Sequence, residues 1–205
     1  MSSAARPLPI PISEPVSSPY AGMRMTAKQF FAIPDDRYWH ELIDGVVVAT
    51  PGPRPHDHLV AGNFHQQLAN FLTDRSTGLV FMATDVHLGT SLSGADVVYR
   101  PELVYFSHAK MRRVPERLVG VPDLVLEVIS PSTEGLDRHT KRDDYERFGV
   151  REYWLIDPRK HTIVVFSLKG GRFVEQKVRG KSYASRAVPG FVLNLTRIRA
   201  MFRAR

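Results

Sequence analysis

A glutamate stands inside an apolar run, Leu124-Val125-Leu126-Glu127-Val128-Ile129. Pro122 and Ser130-Pro131-Ser132 bound the run, which reads as a strand covered on both faces. A carboxylate there is costly unless it is paired or holds a cation. Strand alternation puts Asp123, Val125, Glu127 and Ile129 on one face. A turn follows, then a helix with Asp137 as its expected N-cap. At 3.6 residues per turn, Asp137, Lys141, Asp144, Tyr145 and Phe148 share one side. Arg138, Arg142, Asp143 and Glu146 lie opposite and should face water. Lys141 therefore sits on the stripe that carries the helix's aromatic residues. Glu127 and Lys141 are a candidate catalytic pair. The same two residues also fit a plain ion pair, or a lysine stem lying over an aromatic face with its head in water.

The elements that must position this pair read as follows. Pro and Ser dominate residues 1–22, which show neither helical nor alternating pattern and are expected to be a disordered tail. The folded domain is expected over 23–205. Thr26 caps a short helix, Ala27 to Ala32. Asp44-Gly45 between apolar runs predicts a hairpin whose first arm carries Glu41, a position usually solvated. Leu59, Val60, Phe64, Leu68, Phe71 and Leu72 predict an amphipathic helix over about 57–74, with Asp57 as cap. His56, His58 and His65 surround its start. A zinc hydrolase would need all three on one ion, and no HExxH pattern accompanies them. Leu79 to Leu88 reads as one strand, Leu103 to Phe106 as another, with Glu102 at its mouth after Pro101. Glu152 to Asp157 is a further strand. A hairpin follows across Lys169-Gly170-Gly171, then a strand Phe191 to Leu195 and a short basic helix.

Composition narrows the class. The 205 residues suit one domain with a sizeable core. Cysteine is absent, which excludes disulfides and thiolate metal sites and favours the cytoplasm. No apolar run approaches the ~20 residues that span a bilayer, so no membrane partner is expected. Basic residues outnumber acidic ones by 28 to 21, and the net charge of +7 favours polyanionic partners.

Four residues stand out in order: Glu41, Glu102, Glu127 and Lys141. Their order resembles the PD-(D/E)xK nuclease superfamily, and more narrowly the Uma-type restriction endonuclease-like proteins of bacteria. The strings that carry the likeness are Met25-Thr26-Ala27, Glu41-Leu42-Ile43-Asp44-Gly45, Arg100-Pro101-Glu102 and Pro122 to Thr133. Lys141 with Tyr145, Gly149 to Pro158 and Pro189-Gly190-Phe191 complete it, over about residues 25–202. The resemblance implies an α/β, restriction-endonuclease-like three-layer core, a mixed β-sheet flanked by helices. It implies that Glu102 and Glu127 bind Mg2+ or Mn2+, with the Val128 carbonyl as a further ligand. Lys141 takes the lysine place, migrated from Ile129 to the helix, and Glu41 matches an upstream glutamate. The implied activity is metal-dependent DNA endonuclease, with a homodimer as one possible assembly. The family usually has aspartate at Glu102, so a catalytically silent nucleic-acid-binding or partner-binding module that kept the fold is the alternative. Asp96, on the same segment, is a possible substitute acid. Arg100, Lys110, Arg112, Arg113, Arg138 and Arg142 are candidates to grip a phosphate backbone, or plain solvated surface.

Overall fold

A computed structural model of the chain describes residues 18–34 and 38–203. The expected tail falls outside the described residues as far as position 17. Beyond it, Ser18 is buried and hydrogen-bonds His40 at 2.7 Å, and the Gly22 N–H donates to the Val47 carbonyl at 2.8 Å. Residues 18–22 are thus packed on the first hairpin.

The chain runs α1 (Ala27–Phe30), β1 (Tyr38–Ile43), β2 (Val46–Pro51), α2 (Pro55–Thr73), β3 (Gly78–Met82), β4 (Val86–Thr90), β5 (Asp96–Tyr99), β6 (Leu103–Ser107) and β7 (Leu118–Val119). It continues β8 (Leu124–Val128), a π-helical segment (Leu136–Lys141), α3 (Arg142–Phe148), β9 (Glu152–Asp157), β10 (Thr162–Lys169), β11 (Arg172–Gln176), β12 (Ser182–Ala184), β13 (Val192–Asn194) and α4 (Leu195–Met201). Thr26 caps α1 through a capping box with Gln29. Asp44 and Gly45 both take positive φ, 51° and 74°, the turn that a two-residue hairpin requires.

The strands form two main sheets. One has the order β11-β10-β9-β8-β6-β3, the other β2-β1-β5-β4-β7. In the six-stranded sheet β8 and β9 are parallel and the remaining pairs antiparallel. A mixed sheet flanked by helices is the expected class. The second sheet was not foreseen. It packs on one face of the first, with α3, where Val97, Tyr99, Val104, Val125, Tyr145, Tyr153 and Leu155 interlock. On the other face α2 and α4 bury Val60, Phe64, Leu68 and Ile198 against Leu124, Leu126, Trp154 and Ile156. β8 lies centrally and every one of its residues is buried, as its apolar run requires. Its even residues meet α2, so Val125, Glu127 and Ile129 turn to the seam between the sheets.

Two expectations fail locally. Leu79 to Leu88 is two strands, β3 and β4, in different sheets. Ala83 breaks it with φ of 48°, which turns the chain out of one sheet and into the other. Asp137 is not an N-cap. Helical residues begin at Glu134, the Asp137 N–H already donates to the Thr133 carbonyl at 2.9 Å, and the side chain is buried.

Gly78 opens β3 against β6. A Cβ there would come within 2.5 Å of the Tyr105 ring and would also meet the Phe106 backbone carbonyl, which cannot rotate away. Gly78→Ala is therefore expected to destabilise the fold by about 1–3 kcal/mol. The midpoint of urea unfolding checks this, and an unchanged midpoint would show that β3 shifts at no cost.

Candidate active site

Four segments meet at one end of the seam. β1 supplies Glu41 and β8 supplies Glu127. The tripeptide Arg100-Pro101-Glu102 joins β5 of one sheet to β6 of the other, and supplies Glu102. The π-helical segment supplies Asp137 and Lys141, four residues apart. All five side chains are buried: Glu41 is 3% exposed, Glu102 9%, Glu127 2%, Asp137 2% and Lys141 4%. They line a cavity of about 30 Å³, shared with Trp39, Asp57, Ser130 and Thr133. That is room for a water molecule or one small ion.

The lysine is the hub. Its Nζ lies 2.7 Å from Glu41 Oε1, 3.0 Å from Glu127 Oε1 and 3.4 Å from Asp137 Oδ1. The Tyr145 hydroxyl also donates to Glu127 Oε1, at 3.0 Å. Glu41 Oε1 is held in turn by the Arg100 N–H at 3.0 Å. Glu102 Oε2 accepts from the Val128 N–H at 3.3 Å. Asp137 Oδ1 has an ion-pair contact with Lys141 but no hydrogen-bond donor among the described residues. That atom is a buried acceptor with capacity to spare.

Charge follows from these contacts. Burial works against the Lys141 ammonium, but Glu127, Glu41 and Asp137 outweigh it and hold its pKa well above the ordinary range. Lys141 is thus held in its cationic form by the acids around it. Burial raises Glu41. Burial also pushes Glu102 up to about 7 and Glu127 well above the usual carboxylate range. The Glu102 and Glu127 carboxyls hydrogen-bond each other, an arrangement that keeps a proton between them. Four acids against one lysine leave an excess of negative charge that a proton or a cation must balance.

The structure brings together Glu41, Glu102, Glu127 and Lys141. Val128 lines the same cavity. Asp96 is elsewhere: it accepts from the Ala27 N–H at 2.6 Å and pairs with His87 at 3.1 Å. His56 bonds the Met201 carbonyl at 2.7 Å, and His58 is exposed. Among the described residues, no group of three or more histidines and acids stands ready-made around a metal position. The three histidines therefore give no zinc centre. The oxygen pair Glu102–Glu127 offers the hard donors that a cation such as Mg2+ takes. Most of the proposed backbone-gripping residues are engaged internally. Arg100 is bidentate to Asp85 at 2.7 and 2.8 Å, Lys110 pairs with buried Asp123 at 3.2 Å, and Arg138 reaches Glu134 at 3.0 Å and Asp157 at 3.5 Å. Arg142 lies over Phe166, while Arg112 and Arg113 are exposed. The residue that the sequence misassigned is Asp137. Its four-residue offset from Lys141 was the available signal, but its type reads first as a cap.

A family model described as "Uma2: Putative restriction endonuclease" matches residues 27–196. The chain belongs to the Uma2 family. All five buried charged residues lie within the matched span. Among solved structures, the chain is similar to one described as a putative nuclease belonging to DUF820 from Anabaena variabilis. The two are 17% identical with a TM-score of 0.68, and the match covers 87% of this chain and 99% of that one. That likeness establishes a shared fold. No curated protein matches. No helix among the described residues is long and apolar enough to cross a membrane.

A raised acid predicts a sign. Glu102 keeps its proton up to about pH 7 in the folded chain, against 4.5 when unfolded. Between those values the folded state binds more protons, so metal-free stability falls as pH rises through this window. Glu102→Gln removes the share of the dependence that Glu102 carries. Its stability relative to wild type is expected to improve by on the order of 1–3 kcal/mol from pH 4.5 to pH 8. Thermal unfolding in EDTA at both pH values checks this, and a constant difference would rule out the shared proton.

Proposed function

We propose that this chain is a metal-dependent nuclease that hydrolyses phosphodiester bonds, with DNA as substrate. The observation that carries the reading is the pair of facing carboxyls, Glu102 and Glu127, beside a lysine held in its cationic form. They come from adjacent strands and border a space of ionic size. In this reading Glu102 and Glu127, with the Val128 carbonyl, hold Mg2+, for which Mn2+ can substitute. Such an ion, when bound, lowers the pKa of a water and offsets charge on the phosphoryl oxygens.

The remaining work falls to the chain's own groups. Lys141 places a fixed ammonium in a nearly dry pocket, where charge developing on the phosphate is stabilised most strongly. With Lys141 held cationic, the proton of the attacking water goes to solvent or to a carboxylate. Glu41 and Asp137 hold the ammonium, and the Arg100 N–H holds Glu41. Tyr145 and Lys141 share one oxygen of Glu127 and so fix its carboxyl plane. Cutting both strands of a duplex asks for two such sites, which a pair of chains would supply.

A second reading is a silent nucleic-acid-binding module. It is favoured by Glu102 itself, whose longer side chain is already engaged by the Val128 N–H and by Glu127.

Purified protein is expected to nick supercoiled plasmid with Mg2+ or Mn2+ and to be inert in EDTA. Glu127→Ala and Lys141→Met should each lower the rate by about a hundredfold or more. Circular dichroism guards against unfolding, since breaking a buried pair costs about 3–5 kcal/mol. Wild type that stays inert with every metal and DNA form, yet binds DNA in a salt-sensitive way, would decide for the silent module.

A further inference from the structure

The acidic cavity does not stand alone. Arg100 borders it and also borders a second depression of about 260 Å³, lined by Phe30, Phe31, Tyr38, Asp85 and Arg117 among others. Phe31 and Arg117 border in turn a third, of about 590 Å³, which reaches Lys28, His87 and Asp96. The shared residues make the three depressions one trough. It runs from the acids, over Arg100, along the side of α1.

The lining changes character along the way. Near the acids, Arg100 lies over the Trp39 ring at 5.6 Å while its guanidinium is bidentate to Asp85. Its charge is thus largely balanced. Further out, the Arg117 guanidinium lies over Phe31, 4.5 Å from the ring centre, and forms no salt bridge among the described residues. Lys28 is exposed in the next depression. Asp96 borders the same depression and is hydrogen-bonded to His87 and the Ala27 N–H. Trp39, Tyr38 and Phe31 are half-buried. A groove that brings cations and half-buried aromatic residues together suits an unpaired nucleic-acid strand, which offers phosphates and free base faces. Paired bases keep their faces stacked on one another and have none to offer Phe31 or Tyr38.

We propose that this trough binds an unpaired strand that leads into the acidic cavity, with Arg117 and Lys28 on phosphates and the Phe31 region against bases. The proposal rests on the nuclease reading for its direction but not for its test, which measures binding without cleavage.

The experiment is fluorescence anisotropy in EDTA, with a labelled 15-nucleotide single strand and with its duplex. Wild type is expected to bind the single strand more tightly. Arg117→Glu should weaken that binding about tenfold or more and flatten its dependence on salt. Phe31→Leu, which keeps apolar packing and removes the ring, should weaken single-strand binding about tenfold while leaving duplex binding within twofold. Lys169→Glu, at the β10–β11 hairpin on the far end of the sheet, makes the same charge change and should alter affinity less than threefold. The proposal is overturned if wild type binds no single strand, if it prefers duplex, or if Arg117→Glu acts no more strongly than Lys169→Glu. Plasmid cleavage separates the two readings. Metal-dependent cutting that Arg117→Glu leaves unchanged, together with unchanged binding, removes the trough and keeps the nuclease. Trough-dependent binding with no cutting removes the nuclease and keeps the trough.

Discussion

One buried ammonium holds this molecule's functional end together. Lys141 has left water for a pocket where it is 4% exposed, a transfer that only opposite charge at contact distance can offset. Glu41, Glu127 and Asp137 supply that charge, and each comes from a different element. Glu41 requires β1 of the smaller sheet, Glu127 requires β8 of the larger, and Asp137 requires the helix itself. The lysine thus ties both sheets and the helix at a single point. Aromatic packing supports the arrangement, with Tyr99 edge to face on Tyr145, Tyr153 tilted against Tyr145, and the Tyr145 hydroxyl delivered to Glu127.

The helix reaches that point through a π-helical segment. Asp137 and Lys141, four residues apart and so on one face, are both buried in the segment Leu136–Lys141, and the Tyr153 hydroxyl donates to the Asp137 carbonyl at 2.9 Å. π-turns are rare and concentrate at functional sites, because they trade hydrogen-bond geometry for side-chain placement. Here the placement obtained is a carboxylate with a spare acceptor, set against the ammonium.

Parts of this were legible from residue order. The two-residue period of β8 put Glu127 on the correct face, and the helical stripe pointed Lys141 and Tyr145 inward. Asp44-Gly45 announced its hairpin because few other residues tolerate two successive positive φ values. What periodicity does not carry is which sheet a strand joins. The β3 and β4 strands look continuous because Ala83, the left-handed break between them, is not a residue type that signals a turn. Glu41 looked solvated for a related reason. Alternation shows that it faces away from its strand neighbours, but its cover comes from the helix, about a hundred residues later in the chain. Arg100 and Arg138 looked like free surface cations since their partners, Asp85, Glu134 and Asp157, are brought near only by the fold.

The tripeptide Arg100-Pro101-Glu102 explains why the site is at the seam. It is the step by which the chain leaves β5 in one sheet and enters β6 in the other. Strand ends are where backbone donors fall out of a ladder, and here one of them is used: the Arg100 N–H goes to Glu41 in the first sheet. Pro101 has no donor to lose. Two bonds further, Glu102 extends to the Val128 N–H and the Glu127 carboxyl in the second sheet. One short covalent link therefore sets the spacing between the acid that holds the lysine and the acids that face each other. The glutamate side chain is long enough to cross that gap, which is how Glu102 meets Glu127 from the mouth of its strand.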